Sequence, residues 1–501
     1  MTVRRSALSR RNLLKGLAAC AAASAVGVPT LLRQRVARSQ DSNGKKAKFL
    51  IVLGGFGGAS IIDSCLAIRE GECATPQDIN CFPDSEVINI PGSPLRGVNI
   101  SRDSIGALPV PFTAKQTDFL TKHRDDIMVV TGTGTSVNHV VAQKRSITGN
   151  NAWNGRTLQE MVALEYGENL ALPNVNMASL GFLEHGDDRS LPGYVYAEPV
   201  AQPAIWPLSL DGVRGIKDAP DRELVEMARA LRNDKLDEQS QFYRTFELSE
   251  RLQLWKQQRG GQQTAIEASD LITSLNMITD RPGIPLTEYG LGSAEDAAAL
   301  QAVFPYYFTD PLEGQAALAY LLIKNRVSSA VTIAPTFNLV IAGPEVVNPP
   351  LAFDYSHSSH RAAQAVMWKR TFGLADRLID LLKSQEFDST TGESFWDRTL
   401  IYIDTDFGRT KRRVNGADQF GTSHDLNNGY VIISPMVRGN TVLGGVDPNT
   451  GLTYGFDPLT GAPDVNRTMS EGEIYSGILQ VLDVQTTGSG LPAMPAMRKN
   501  G

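Results

Sequence analysis

Short apolar runs alternate with segments of helical periodicity along this chain, and few protein folds accommodate that alternation. The runs are 48–53, 126–131, 328–334, 399–403 and 429–433. Unbroken apolar runs of this length are typical of strands whose two faces are both buried. Helical periodicity predicts helices over 157–166, 312–325, 360–384 and 470–482. The pattern therefore predicts an α/β fold in which helices cover both faces of one sheet.

The pattern changes between residues 183 and 290. Residues 183–219 have the composition of loops, and from about Pro220 to Ile278 the periodicity is helical. We interpret 183–290 as a mostly helical insertion that divides the α/β domain into residues 41–182 and 291–501. Aromatic residues of the insertion are predicted to belong to its core: Phe242, Tyr243, Phe246 and Trp255.

The first forty residues have the layout of an export signal. They contain eight basic and no acidic residues, and Ser9-Arg10-Arg11-Asn12-Leu13-Leu14-Lys15 precedes an uncharged run over 16–32. Paired arginines before an apolar run are typical of a twin-arginine signal. A short membrane helix is the alternative interpretation. We predict that residues 1–40 are a signal peptide, that the twin-arginine translocase exports the folded protein to the periplasm or outside the cell, and that cleavage leaves no stable membrane anchor.

Charge argues against nucleic acid as a partner. Removing eight of the 48 basic residues leaves 40 against 54 acidic ones, a formal net charge of −14. A surface with this charge repels polyanions such as nucleic acids and anionic lipids. The expected partners are instead the translocase and a small molecule.

Cysteine usage suggests a local crosslink. Cys65, Cys73 and Cys81 lie close together in the sequence and contain no C-x-x-C pair, which disfavours a thiolate zinc or redox site. In an exported protein we expect one disulfide among them, with the third cysteine buried.

Polar residues with metal-binding chemistry follow the predicted strands. In open α/β sheets, ligands bind at the carboxyl ends of strands. Four of the six histidines lie in such segments, together with several carboxylates. Imidazole and carboxylate are ligands for zinc, manganese or iron. We therefore predict a site for a divalent metal whose candidate residues are His139, Asp354, His357, Asp406 and His424.

The glycine turn after the first run, Gly54-Gly55-Phe56-Gly57-Gly58, permits another interpretation. A dinucleotide fingerprint requires G-x-G-x-x-G, and here Ser60 stands at the third glycine position. An exported dinucleotide-dependent oxidoreductase is thus a less favoured alternative. A serine hydrolase lacks its motif, because no serine in the chain has glycine both two before and two after it.

Several segments together resemble a known superfamily. They are the twin-arginine leader, the strand that ends in Gly-Gly, 319–326 before a strand, Asp354-x-x-His357 before a long helix, Asp404-Thr-Asp-Phe-Gly-Arg-Thr410 with His424 downstream, and 437–445. The set resembles exported bacterial proteins with twin-arginine signals in the alkaline phosphatase and sulfatase superfamily. The similarity covers most of 48–145 and 312–485, but not the helical insertion.

The resemblance implies an α/β/α sandwich of alkaline-phosphatase type, with metals at the strand ends that hold a small anionic phosphate or sulfate ester. It places Asp354, His357, Asp406 and His424 at ligand positions, and His139 at that of a histidine after the second strand. It also implies that a hydroxyl group, here Ser136 or Thr135, or activated water attacks the ester. Arg409 would contact the anionic substrate or, as we favour, pair with Asp406.

One position departs from the superfamily pattern. The first strand should deliver an aspartate to the metals, and here that place is Gly57, with Asp63 as the nearest acid. Half of a two-metal site is thus missing from the sequence. The hypotheses are a metal-dependent ester hydrolase and a non-catalytic periplasmic or cell-surface binding protein that retains the fold.

Overall fold

A computed structural model describes most of the chain. The described residues are 45–100, 116–210, 222–253, 271–280, 295–335, 352–418 and 420–499, with short pieces between them at 104–105, 108–109, 114–115, 256, 283, 285–289, 340–342 and 345–347. The predicted leader, Trp255 and the insertion's 211–221 lie outside them.

The centre of the described structure is an eight-stranded mixed sheet. Its strands are β1 (Phe49–Gly55), β2 (Ile127–Thr133), β3 (Asn174–Asn176), β4 (Glu198–Pro199), β5 (Ala330–Ile333), β6 (Thr399–Thr405), β7 (Asn427–Ile433) and β8 (Thr441–Leu443). Their spatial order is β8-β2-β7-β6-β1-β5-β3-β4. All neighbouring pairs are parallel except those made by β7, which is antiparallel to both β6 and β2.

Helices cover both faces of the sheet. They are α1 (Thr117–His123), α2 (His139–Thr148), α3 (Leu158–Tyr166), α5 (Glu295–Val303), α6 (Pro311–Lys324), α7 (His360–Ser384) and α8 (Glu471–Val481). A further helix, α4 (Arg222–Leu231), belongs to the predicted insertion and leaves Leu224, Met227 and Leu231 exposed. Alternate residues of β1 enter different clusters, because side chains of a strand alternate between faces. Phe49 and Ile51 pack with α1, α6 and α7, whereas Leu50 and Val52 pack with α2, α3 and α8. The predicted α/β/α sandwich is confirmed.

Local sequence accounts for the accuracy of the predicted elements. Predicted strands differ from the observed ones by at most two residues at either end, and predicted helices by at most one. Capping residues fix the helix starts. Thr157 and Ser470 each form a capping box with a glutamate three residues later, and Asp310 caps α6 ahead of Pro311.

The elements that the sequence analysis missed are short or unusual. β3, β4 and β8 have only two or three residues each. α2 contains several β-branched residues, which are weak helix formers. Its signals are at its ends, where the Asn138 side chain accepts a hydrogen bond from the backbone N–H of Val141 and Gly149 closes the helix at φ +61°.

The predicted insertion, residues 183–290, is helical over most of 222–246 but also supplies β4 to the central sheet. In its described part, α4 is followed by Arg232–Leu236, which has π-helical geometry, and by the short helices Asp237–Gln239, Gln241–Phe246 and Leu271–Leu275. The prediction that its aromatics form a core is wrong for Phe242 and Phe246, which are 65% and 48% exposed. These rings stack on each other at 5.0 Å.

The predicted disulfide is also wrong. Cys65, Cys73 and Cys81 are all free and buried. The thiol of Cys65 contacts the hydroxyl of Ser64, and that of Cys81 donates to the carbonyl of Pro76. Burial raises the pKa of Cys65 to about 12 and that of Cys81 to about 11, so both are inert thiols rather than crosslinks.

No helix in the described ranges is long and apolar enough to cross a membrane.

Candidate metal centre

The strand-end segments meet at one edge of the sheet. β1, β2, β5 and β6 run in the same direction, so their carboxyl ends share an edge, and the reversed β7 begins there. The register pairs Gly55 with Thr405 and Thr133 with Asn427. Consequently the segments that contain His139, Asp406 and His424 are neighbours, although they are far apart in the sequence.

His139 is held in one orientation by a carboxylate. It is the first residue of α2, and its Nδ1 lies 2.8 Å from Oδ2 of Asp406. Its Nε2 lies 3.4 Å from Oδ1 of Asp354. The ring stacks on Phe56, with 5.1 Å between ring centroids. A histidine whose Nδ1 is bound to a carboxylate presents Nε2 as a ligand, the arrangement that second-shell carboxylates give zinc ligands.

His424 is oriented in the same way by a backbone carbonyl. Its Nδ1 lies 2.7 Å from the carbonyl oxygen of Val137. Because that oxygen only accepts, the neutral His424 ring carries its proton on Nδ1 and presents a bare Nε2. Phe407 stacks on the ring at 3.9 Å. Nε2 of His357 lies 2.8 Å from Nε2 of His424 and 3.4 Å from Oδ1 of Asp354.

These donors form a compact group. One ligand atom from each of His139, Asp354 and His424 lies within 4.8 Å of the other two, and His357 is adjacent. Two imidazoles oriented by acceptors, together with a carboxylate, are a donor set that fits zinc, manganese or iron. A second described group of this kind is His123, Asp376 and Asp380, with the ammonium of Lys122 within 2.7 Å of both aspartates. Asp354 likewise has a cation 2.7 Å away, the guanidinium of Arg409, so the first group is distinguished by its additional imidazoles.

Arg409 pairs with Asp354, which corrects the expected pairing with Asp406. The buried Arg409 guanidinium lies 2.7 Å from Oδ1 of Asp354 and also donates to the carbonyl oxygens of Gly57 and Thr422. Asp406 does not pair with Arg409, because the oxygens of Asp406 already accept hydrogen bonds from the backbone N–H groups of Gly57 and Gly58. Arg409 therefore fixes the candidate carboxylate ligand.

Asp406 lies behind His139. It is fully buried, and its two oxygens accept hydrogen bonds from the backbone N–H groups of Gly57 and Gly58 at 3.1 and 2.7 Å. Oδ2 also lies 3.4 Å from Nε2 of Gln143, which is on the turn of α2 that follows His139. This environment suits a residue that orients His139.

The glycine turn has no room for an additional ligand. Gly57 has φ +93°, and a Cβ at this position would lie 2.1 Å from the backbone nitrogen of Asp354. The segment that carries Asp354 thus fills the place expected for the missing aspartate. The turn is also unsuited to a pyrophosphate, because the N–H groups of Gly57 and Gly58 already bind Asp406, which weakens the dinucleotide alternative.

The candidate nucleophiles are on the loop between β2 and α2. The hydroxyl of Thr135 lies 2.7 Å from Oε2 of Glu471 and accepts from Arg145 at 3.2 Å. Oγ of Ser136 accepts from the backbone N–H of Asn138 at 3.1 Å. The Thr135 hydroxyl therefore donates its proton to Glu471 of α8. The Ser136 hydroxyl only accepts in the bond described, so that bond does not use its proton.

The three histidines of the centre have pKa values shifted in different directions. Burial alone would lower the pKa of His139, but Asp354 and Asp406 raise it to about 9. Burial and the charge of Arg409 lower the pKa of His357, and burial lowers that of His424. Burial would raise the pKa of Asp354, but hydrogen bonds from His139 and Arg409 outweigh it and the pKa is depressed. At neutral pH His139 is thus an imidazolium beside two carboxylates, and its Nε2 must release a proton before it binds a metal ion.

His360 and Asp63 form a separate buried pair. Nε2 of His360 lies 2.9 Å from Oδ2 of Asp63, and Nδ1 lies 2.8 Å from the hydroxyl of Thr422. Asn80 donates to both oxygens of Asp63. His360, the fourth histidine of the strand-end segments, and Asp63, the acid nearest to Gly57 in the sequence, thus pair with each other in a structural role. Thr422 connects this pair to the centre because its carbonyl accepts from Arg409.

Asp404, two residues before Asp406, is a buried acid with a raised pKa. Oγ of Ser146 lies 2.8 Å from the carbonyl of Gln143 and 2.6 Å from Oδ2 of Asp404. One hydroxyl proton serves only one of these acceptors. If it goes to the carbonyl, Asp404 must supply the proton of the second bond. Burial raises the pKa of Asp404 to about 7, which agrees with this arrangement.

We expect Asp404→Asn to flatten the pH dependence of stability. Between the ordinary carboxyl pKa and about 7, only the folded state holds the proton, so the wild type loses stability as pH rises, by about 1.4 kcal/mol per pH unit. The amide of Asn donates to Ser146 without titrating. Urea unfolding at pH 5 and pH 8 measures the difference, and parallel pH profiles for the two proteins would contradict the assignment.

Sequence reasoning missed the residues that support the centre. Phe56 and Phe407 flank the histidines, and both adjoin residues of motifs already recognised, so their positions were a usable signal. Gln143 follows His139 by four residues, which places both on one face of α2. Because α2 was not predicted, the four-residue spacing of His139 and Gln143 did not indicate that they share a helix face.

Comparison with known proteins adds no assignment. No family model and no curated protein matches the chain. Among solved structures, a 2-O GAG sulfatase aligns at 8% identity and TM-score 0.31, over 91% of this chain and 75% of that one. A phosphonate monoester hydrolase from Silicibacter pomeroyi aligns at 11% identity and TM-score 0.32, over 90% and 76%. Alignments of this quality do not bear on the function of the chain.

Proposed function

We propose that the protein is an exported, metal-dependent hydrolase of phosphate or sulfate esters with a single-ion centre. His139, Asp354 and His424 would hold zinc, manganese or iron, with His357 beside them. The observation that carries the proposal is the convergence of their ligand atoms within 4.8 Å. A bound divalent ion supplies Lewis-acid polarisation of an ester oxygen.

The protein's own residues prepare the centre for this role. Asp406 and the Val137 carbonyl hold the far nitrogens of His139 and His424, which fixes both rings before a ligand arrives. Arg409 keeps the carboxylate of Asp354 in place. Phe56 and Phe407 shield two of the imidazoles from water. Attack by the Ser136 hydroxyl or by water, and export by the twin-arginine route, are parts of the same proposal.

Metal content tests the proposal directly. We expect the purified protein to hold about one divalent ion per chain. His424→Ala should lose it, because a ligand atom is removed. Asp406→Asn should retain it with about 10- to 100-fold weaker affinity, because the orientation of His139 suffers. The variant should also lose some stability, because the amide nitrogen of Asn must face the backbone N–H of Gly57 or Gly58. The measurement is elemental analysis followed by competition with a chromophoric chelator.

The matched control is His185→Ala. His185 is exposed and packs against Tyr196, outside the centre, so this variant should keep the wild-type metal content. Equal metal content in the His424 and His185 variants would disprove the centre. A panel of aryl phosphate and sulfate esters then tests turnover.

A non-catalytic binding protein is the second candidate. It is favoured by Gly57, where backbone of the Asp354 segment replaces the expected aspartate, and by the hydrogen bond from Thr135 to Glu471. This candidate predicts a protein that binds metal and anions but hydrolyses none of the esters.

A further inference from the structure

Apolar side chains are exposed on the segments that carry the candidate centre and on the turn that packs against α2. They are Val137, Val140, Val141, Leu180 and Leu426, each between 36% and 46% exposed, and we call them the apolar rim. Exposed leucines and valines scattered singly need no explanation, but a group beside a polar site indicates a binding surface.

Backbone contacts connect the rim to the metal-binding residues. The carbonyl of Val137 accepts from His424, and Val140 and Val141 directly follow His139 in α2. Leu426 is two residues after His424, and its carbonyl accepts from Gly134 at 2.7 Å. The rim is therefore built from the same segments that present the histidines.

Leu180 is held at the rim in an unfavourable conformation. Its φ is +57°, which is strained for a leucine. The next residue, Gly181, donates to Oε1 of Gln143 at 2.9 Å, and a Cβ on Gly181 would lie 2.1 Å from the carbonyl oxygen of Val140. Gln143 also contacts Asp406. The same side chain thus fixes Leu180 against α2 and contacts the carboxylate that orients His139.

From this arrangement we infer that the site takes esters whose non-reacting part is apolar, such as an alkyl or aryl group, rather than a sugar. The anionic head would lie at the histidines, and the apolar tail would lie on the rim. This inference rests on the proposed function, because it names the substrate class of the same site.

Binding of n-alkylphosphonates from ethyl to octyl, measured by calorimetry on the purified protein, tests the inference. Each methylene that is fully buried on the rim should tighten binding by about fourfold. Leu180→Ser and Val141→Ser should each weaken octylphosphonate binding by about tenfold and leave ethylphosphonate binding unchanged. Glucose 6-phosphate, a polar ester, should bind no better than ethylphosphonate.

Leu459→Ser is the matched control, because Leu459 is an exposed leucine of a turn that contributes nothing to the rim. An affinity that does not rise with chain length would overturn the inference, even in protein that contains metal. A chain-length gradient in protein that holds no metal would support the rim and refute the metal centre alone. Absence of any alkylphosphonate binding would overturn the inference as well.

Discussion

Gly57→Ala is expected to destabilise the protein by at least about 3 kcal/mol. Two effects add. A residue with a Cβ at φ +93° is strained by about 1–2 kcal/mol, and the methyl group would lie 2.1 Å from the backbone nitrogen of Asp354. The neighbouring atom is backbone rather than a flexible side chain, so the segment that carries a candidate ligand must move. We therefore expect loss of metal together with the loss of stability.

The control isolates the contact from the backbone strain. Gly488 has φ +79° and no atom within 4 Å of an added Cβ, so Gly488→Ala should show the conformational effect alone, about 1 kcal/mol. Urea unfolding and metal analysis of both variants give the comparison. Equal destabilisation of the two variants would mean that the close approach to Asp354 is not as described. Gly57→Asp should fail like Gly57→Ala, because the position has no space for a ligand.

Arg409→Met is expected to destabilise the protein by about 3 kcal/mol. The substitution leaves the Asp354 carboxylate and the carbonyls of Gly57 and Thr422 without their donor. Breaking a buried ion pair by removing one partner is strongly unfavourable, and the partial exposure of Asp354 places this case at the lower end of the usual range. Arg409→Lys should recover little, since an ammonium cannot reach three acceptors in the fork geometry.

Arg413→Met provides the comparison for Arg409. Arg413 is also buried and also donates to backbone carbonyls, those of Ala417 and Gly416. It differs in its acidic partners, because Glu70 and Asp418 are exposed to solvent and remain hydrated when Arg413 is removed. We expect a smaller loss of stability and unchanged metal content. If the two variants unfold at the same urea concentration and both retain metal, the role assigned to Arg409 is incorrect.

The sequence predicted the scaffold better than the centre, for identifiable reasons. Apolar runs and caps such as Thr157 and Ser470 are local signals, and they located the strands and helices to within two residues. The reversed direction of β7 is set by long-range packing and had no local signature. Likewise, the motif around Asp406 indicated a metal-site carboxylate, but only the three-dimensional contacts separate Asp354, at the centre of the group, from Asp406, which lies behind His139.

The two wrong predictions of paired residues, the Arg409 partner and the disulfide, also depended on three-dimensional contacts. Arg409 was expected to pair with Asp406, yet the glycine turn supplies backbone donors to Asp406, and Arg409 pairs with Asp354 instead. The expected disulfide rested on the spacing of three cysteines, and spacing does not report whether thiols face each other or are buried among other groups.

The reversal of β7 has a consequence for assembly. His139 and His424 become neighbours only after β7 inserts between β2 and β6, so nearly three hundred residues of chain must be synthesised and ordered before the two rings meet. A fragment that ends before His424 completes neither the sheet nor the candidate ligand set. Metal binding would then occur late in maturation. A chain released early from the ribosome would hold no ion and would expose an unpaired strand edge.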